Sequence, residues 1–300
     1  LAKRKFGAFR AMNKIEKIKQ AVIQEIPFFF SLPALIWQVL FLCVPLFVMV
    51  LISVVDRAGA VSSLMITTKQ YIAIIDFLHA KIILNSLALA LVVALVCLLA
   101  AYPVAYFLAF NAGRFKQVFL FFLLVPFWTN LLILIYAWFF ILERDGLLNS
   151  FLQAIGIIHE PLPLLHNLFS IALVMFYCYM PFMIMPLVSA LEKIDHNLLE
   201  ASRDLGATYW QTFLRIIVPL SWTGIRTGFF LVYVLSFGEF AIPLLMGGDK
   251  YVFVGNAIAH YVLHALEIEK GAAFTCLSGI CLLSSIVILN WLLKKIIYRV

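Results

Sequence analysis

Two sets of side chains in this 300-residue chain are placed to do chemistry. The first is a pair of ionisable residues, Arg226 and Glu239, inside otherwise apolar sequence. Charge is costly in hydrocarbon, so each such residue is a candidate for handling an ion or a charged ligand. In one continuous helix they would lie about 20 Å apart at ~1.5 Å per residue and on opposite faces, so they cannot pair. Arg226 can snorkel its guanidinium to the headgroups. Glu239, in Gly238-Glu239-Phe240 ahead of Pro243, reads in two ways. It is either an interfacial carboxylate facing water or a pathway carboxylate that meets an ammonium group. A cation site also wants aromatic faces. Trp128, Asn130, Tyr136 and Tyr177 are the candidates, with Thr129, Trp138 and Tyr179 on the same stretches. Asn130, Leu134 and Trp138 are spaced to share one helical face, and Thr129 and Tyr136 another. Each aromatic alone reads equally as helix packing or as an interfacial belt.

The second set is a charged island, Glu200-Ala201-Ser202-Arg203-Asp204-Leu205-Gly206, followed after nine residues by Ile216-Ile217-Val218-Pro219. Its chemistry is docking rather than bond-making. Good helix formers fill 196–206, Glu200 and Arg203 are i, i+3 neighbours, and Asp195 or Asn197 can cap the start. Gly206 can end the helix in a left-handed conformation or admit a partner closely. A short, rigid, charged helix between two apolar segments is expected. The spacing from Gly206 to Ile216 and Pro219 marks it as more than an ordinary loop helix.

Other chemistry is missing from the sequence. There is no G-x-x-x-x-G-K-[ST] phosphate loop, so ATP and Mg, where needed, fall to another chain; no cofactor is expected here. No Asp, His, Ser or Cys cluster suggests catalytic residues, which leaves an integral membrane enzyme as a remote alternative. His260 and His264 stand i, i+4, a polar helix face or a metal pair; no metal site is expected. Five cysteines, all in apolar spans, argue against a disulfide framework.

The elements that must position these residues are membrane helices. The chain is 65% hydrophobic and 12% charged, with mean hydropathy +1.06. A span needs ~20 apolar residues, and helices satisfy the backbone where water is absent. Six spans are expected, at about 34–55, 82–110, 117–142, 167–191, 219–246 and 273–297. Barrel-type alternation is absent. Pro126, Pro181, Pro186, Pro219 and Pro243 predict kinks in the third, fourth and fifth spans. The fold class is therefore all-α and integral to the membrane.

Of the 22 Lys and Arg, fifteen fall on segments that face inward if both termini are cytoplasmic, against six outside. The island then lies in the cytoplasm. The net charge of +7 reads as basic ends facing anionic lipid, not as a nucleic-acid surface. Residues 1–33 carry Phe9, Met12, Ile15, Ile18, Val22 and Ile26 at helical spacing, with Arg10, Lys14 and Lys17 on other faces. They read as an amphipathic helix on the inner membrane surface rather than a signal peptide. Residues 34–300 form the transmembrane domain, with a cytoplasmic loop at about 192–218.

The island and its Ile-x-x-Pro tail resemble the loop by which bacterial ABC importer permeases dock onto their ATPases. The likeness extends from about Pro126 to Lys250. Pro126-Phe127-Trp128-Thr129-Asn130, Tyr177 to Pro186, Glu192-Lys193-Ile194-Asp195, Leu199 to Ala207, Gly238-Glu239-Phe240 and Met246-Gly247-Gly248 look like spermidine/putrescine permeases. That resemblance implies the type I importer fold and a cytoplasmic-membrane subunit without its own ATPase site. A cytoplasmic ATPase dimer, a second permease (a distinct partner rather than a copy) and an extracytoplasmic substrate-binding protein are implied with it. It assigns Glu200, Ala201, Arg203, Asp204, Gly206 and Pro219 to ATPase coupling. Glu239, Trp128, Asn130, Tyr136 and Tyr177 are expected along the substrate pathway. Ser202 stands where Ala is usual and Val218 where Leu is usual. Leu134 stands where an Arg is expected, which bears on the field around a cationic cargo. An organic or inorganic anion, or a metal complex, is the alternative cargo.

Overall fold

The computed structural model describes residues 31–56 and 65–297. The expected amphipathic helix at 1–33 falls almost wholly outside them. Two compact units divide the chain at Thr67/Thr68. The first holds helix α1, Ser31–Ser53, and a two-residue antiparallel ribbon, β1 Val55–Asp56 with β2 Met65–Ile66, in which Val55 faces Ile66.

The second unit begins with α2, Lys69–Ile74, and α3, Phe77–Phe110, which Asp76 caps. Next come α4, Lys116–Trp128; α5, Leu131–Leu142; and α6, Leu147–Ala154. Helix α7 spans Leu168–Leu191. The island region supplies α8, His196–Asp204; α9, Tyr209–Thr212; a π turn, Phe213–Ile217; and α10, Val218–Leu220. Then follow α11, Trp222–Gly238; α12, Ala241–Gly247; α13, Val254–Ala259; a second π turn, His260–His264; and α14, Ile268–Ile297.

Among the described residues, four helices are long and apolar enough to cross a membrane, and six spans result if each of two bent pairs is one span. Helix α14 shows the lipid-facing pattern, with Ile280, Leu283, Val287 and Trp291 exposed at helical spacing.

The core is built by α3, α7 and α11 packed on one another. Small residues allow close approach, the usual means of helix association where lipid removes the hydrophobic driving force. Gly224 and Gly228 form a Gly-x-x-x-Gly face on α11 against α7. A Cβ at Gly228 would lie 2.8 Å from Met183 Sδ and 3.1 Å from the Met183 carbonyl oxygen. Gly228→Ala is expected to destabilise the α7–α11 pair by about 1–3 kcal/mol, the range for overpacking a filled core. A lowered midpoint for denaturation in detergent would register it, and Gly238→Ala, in open space, serves as control.

Two spans expected as single helices are broken. The third turns by 87° between Gly113–Pro126 and Leu131–Ala154. Thr129 is extended, and Asn130 starts a new helix by accepting from Leu132 N at 2.9 Å. Thr129 therefore lies outside α5, and its expected face with Tyr136 is not a continuous stripe, whereas Asn130, Leu134 and Trp138 belong to α5 and its cap, with Leu134 N donating to Asn130 O at 3.1 Å. The fifth span turns by 65° near Ser221, then stops at Gly238, with α12 starting afresh at Ala241. Pro243 explains the stop. In a continuous helix it would leave the Glu239 carbonyl without a donor and clash with it, whereas the first turn of a new helix needs no donor there.

Candidate functional site

The charged segment expected to serve in coupling (the coupling segment) is built by local rules. Asp195 Oδ1 accepts from Asn197 N at 2.9 Å and caps α8. At the other end Gly206 has φ +78. Gly206 N donates to Arg203 O at 2.8 Å and Ala207 N to Ser202 O at 3.0 Å, the bond pair of a Schellman ending. Open space surrounds a Cβ at Gly206, so the glycine is required by backbone conformation and not by crowding within this chain. Pro219 has no N–H to return to the Arg215 carbonyl. The preceding turn widens, and Val218 N donates to Phe213 O in a π turn.

Glu200, Ala201, Arg203, Asp204 and Gly206 are exposed together, while Pro219 is half-buried at the far end of the segment. Glu200 and Arg203 form no ion pair with each other among the described residues. The motif does not mark the apolar part of this surface: Leu205 is 88% exposed, Trp210 67% and Tyr209 60%. Docking surfaces draw most of their energy from such groups.

Ser202, on the opposite side of α8, is buried. Its hydroxyl donates to Leu199 O at 2.8 Å and lies 3.0 Å from Thr212 Oγ1, which ties α8 to α9. Ser202→Ala is expected to cost about 1 kcal/mol locally, the net value of one such bond. Amide exchange at 209–212 should speed up about fivefold, with global unfolding unchanged.

Helix α3 holds the segment from behind. Tyr102, Tyr106 and Phe110 share one face at i, i+4, i+8. Tyr102 OH lies 2.9 Å from Ser221 Oγ at the bend. The Tyr102 ring meets Phe213 at 5.5 Å, Tyr106 meets Tyr209 at 6.5 Å, and Phe110 meets His196 at 5.7 Å. Lys116 pairs with Glu192, so the start of α4 is tied to the residue that ends α7. Packed rings thus connect α8, α9 and the π turn to the core helix α3.

At the opposite end of α11, Glu239 sits at the helix break. Its Oε1 accepts from Ala241 N at 2.9 Å and Ile242 N at 3.3 Å, capping α12. Its Oε2 accepts from the Tyr179 hydroxyl. The far end of α12 is held by α7 and the residues just before it, since Met246 O accepts from His166 N at 2.9 Å and from Ser170 Oγ at 3.1 Å. A carboxylate has about four acceptor sites; three donors use three of them.

Glu239 lines a cavity of about 290 Å³ with Thr129, Leu134, Tyr179, Phe182 and Leu235. None of its lining residues is Lys, Arg or His. Of the other pathway candidates, Trp128 is exposed with its ring 5.4 Å from Phe121. Asn130 is engaged as the cap of α5, Tyr136 is exposed, and Tyr177 packs on Trp138 at 5.3 Å. These four lie outside the lining of the cavity. Tyr179, two positions from Tyr177, turns to Glu239 instead, a difference of helical phase that one sequence leaves open. Leu134 is in the wall. Its unusual residue type relative to the resembled permeases was the signal that could have placed it there.

His260 and His264 stack at 5.9 Å between ring centroids. Among the described residues, no group of three or more His, Cys, Asp or Glu is arranged to hold a metal.

The family described as "Binding-protein-dependent transport system inner membrane component" matches residues 101–300. The chain is 40% identical over 252 residues to the spermidine/putrescine transport system permease protein PotB of Escherichia coli (strain K12), covering 82% of this chain and 92% of that one. Its identity to the PotB protein of Haemophilus influenzae is 36% over 262 residues, covering 87% and 88%. Among solved structures, a bacterial ABC transporter involved in import of the acidic polysaccharide alginate matches with TM-score 0.70 at 16% identity, covering 93% of this chain and 99% of that one. The alginate transporter in complex with its alginate-bound periplasmic protein gives TM-score 0.74, also at 16% identity, covering 92% and 97%. At that identity the structures speak to the fold.

Proposed function

The chain belongs to the family of binding-protein-dependent transport system inner membrane components, and on that premise we propose that it is the permease subunit of an ATP-binding-cassette importer that moves polyamines. Glu239 carries the choice of cargo. It is the only charged side chain in the cavity wall, and three hydrogen bonds hold it in place with acceptor capacity left for one ammonium group. None of the lining residues is Lys, Arg or His, so the carboxylate faces no cation within the wall, which suits a cationic cargo. The apolar remainder of the wall suits the methylene stems between polyamine nitrogens. The names of the PotB relatives support the same cargo. One carboxylate with apolar neighbours binds transiently, as a transport route requires; high affinity belongs to a separate binding protein.

In this reading an extracytoplasmic binding protein delivers the polyamine, and a second permease completes the pathway. A cytoplasmic ATPase dimer supplies ATP hydrolysis. The excess of Lys and Arg on the segments read as inner supports a topology with cytoplasmic ends and a cytoplasmic α8. Closure of the ATPase pair pushes α8, and the Tyr102–Tyr106–Phe110 ladder passes the push to α3. The α3–α7–α11 core then rocks between inward- and outward-open states. The periplasmic protein in the alginate complex supports a binding-protein partner by likeness of fold.

Reconstitution with the ATPase, second permease and binding protein provides the test. ATP-driven uptake of labelled spermidine or putrescine, with labelled sulfate excluded, is the expected result. Uptake of sulfate in preference to either polyamine would overturn the cargo assignment and favour an anion.

A further inference from the structure

At the end of the molecule away from the coupling segment, a cleft of about 530 Å³ opens between the start of α3, the start of α7 and residues 250–253. We propose that this cleft holds one anionic phospholipid, with its phosphate between the ammonium groups of Lys81 and Lys250.

Depth is the first reason. Lys81 and Tyr106 lie on the same helix, and Tyr106 touches the coupling segment. The 25 residues between their positions span about 38 Å at ~1.5 Å per residue. The hydrocarbon core is only about 30 Å thick. With the coupling segment beyond one face, Lys81 reaches the headgroup layer of the other.

Charge is the second. Lys81 and Lys250 are both exposed and have no carboxylate partner among the described residues. None of the described residues lining the cleft is acidic. Two other lysines, by contrast, have carboxylate partners: Lys116 pairs with Glu192, and Lys270 with Glu267 at 3.2 Å. Two ammonium groups without a carboxylate partner among the described residues, at one mouth, attract an anion and repel a polyammonium ion, so the cleft is not a stopping point for the proposed cargo.

Shape is the third. Below the lysines, Asn85 offers an amide at headgroup depth. The wall then becomes apolar, with Val92 on α3 and Leu168 and Ala172 on α7. A soluble anion would leave this wall uncovered, whereas an acyl chain covers it. Basic residues above an apolar groove are the arrangement that recognises an acidic headgroup together with its tail.

The test is titration of the full-length chain, purified with the subunits that accompany it, with phosphatidylglycerol in detergent, read by native mass spectrometry. One bound lipid per chain is expected, with phosphatidylethanolamine much weaker. Each lysine near a charged lipid contributes about a fivefold gain in affinity, so Lys81→Gln with Lys250→Gln should weaken binding about thirtyfold. Ala88→Phe, which fills the cleft and keeps both lysines, should also expel the lipid. Unchanged phosphatidylglycerol binding in both variants would overturn the proposal. Equal competition by glycerol 3-phosphate would overturn it in favour of a soluble anion. Occlusion of the cleft by an accompanying subunit, seen as protection of a cysteine placed at 88, would overturn it in favour of a protein contact.

Discussion

Glu239→Gln is expected to lower ATP-driven spermidine uptake by about 10- to 150-fold, the worth of a hydrogen bond to a charged group at ~1.5–3 kcal/mol. Glutamine separates two jobs that the carboxylate does at once. Its amide oxygen can still accept from Ala241 N and Ile242 N, so α12 keeps its start. The negative charge that would meet an ammonium group is gone. The protein should therefore reach the membrane at normal abundance, as an immunoblot would check, and fail in transport. Glu239→Ala differs, because it also strips the cap from α12 and should reduce abundance. Tyr179→Phe keeps the charge and frees Oε2, so it should alter uptake far less than the glutamine variant. Full uptake by Glu239→Gln would remove this carboxylate from the pathway.

A second large effect is expected on the coupling surface. Leu205 is 88% exposed at the tip of α8, where its apolar side chain is available to a partner, beside exposed Tyr209 and Trp210. Leu205→Asp should weaken ATPase binding by about thirtyfold or more, since a buried hot-spot side chain contributes ~2 kcal/mol or above. Gly206→Val should act on the same interface through the backbone. With φ at +78, a β-branched residue there costs about 1–2 kcal/mol and pulls the Schellman ending apart. Both variants should retain the α3–α7–α11 core, which neither residue touches, while ATP-driven uptake falls. Titration of the purified permease with its ATPase measures the first step and vesicle uptake the second. Wild-type ATPase affinity in both variants would disprove docking through this tip.

The charged island was legible because its signals are short-range. The Asp195 cap, the helix formers and the glycine ending act within a dozen residues, and α8 forms where those signals put it. Membrane spans were legible for a similar reason, as hydropathy over ~20 residues is itself the physical requirement. The breaks were only partly legible. Pro243 and Pro126 announced kinks, but a proline in a membrane helix can be absorbed by neighbouring groups. Whether the helix bends or stops depends on which donors and acceptors lie nearby. At Glu239 the carboxylate supplies the new start; at Asn130 the side-chain amide oxygen does.

Sequence by itself thus determined the solvent, the class of fold, the short charged helix α8 and the rarity of Glu239 as a charge in an apolar segment. Tertiary structure alone decided that Tyr179 rather than Tyr177 turns to that carboxylate, that Leu134 shares its cavity, and that Tyr102, Tyr106 and Phe110 carry the coupling segment. Two lysines about 170 positions apart in sequence, Lys81 and Lys250, share one cleft for the same cause. Periodicity tells which residues share a face of one helix, but not the rotation and depth at which that helix meets another. Those are set by the close contacts of α3, α7 and α11, through Gly224 and Gly228 among others. Such contacts depend on the shapes of residues far apart in the chain.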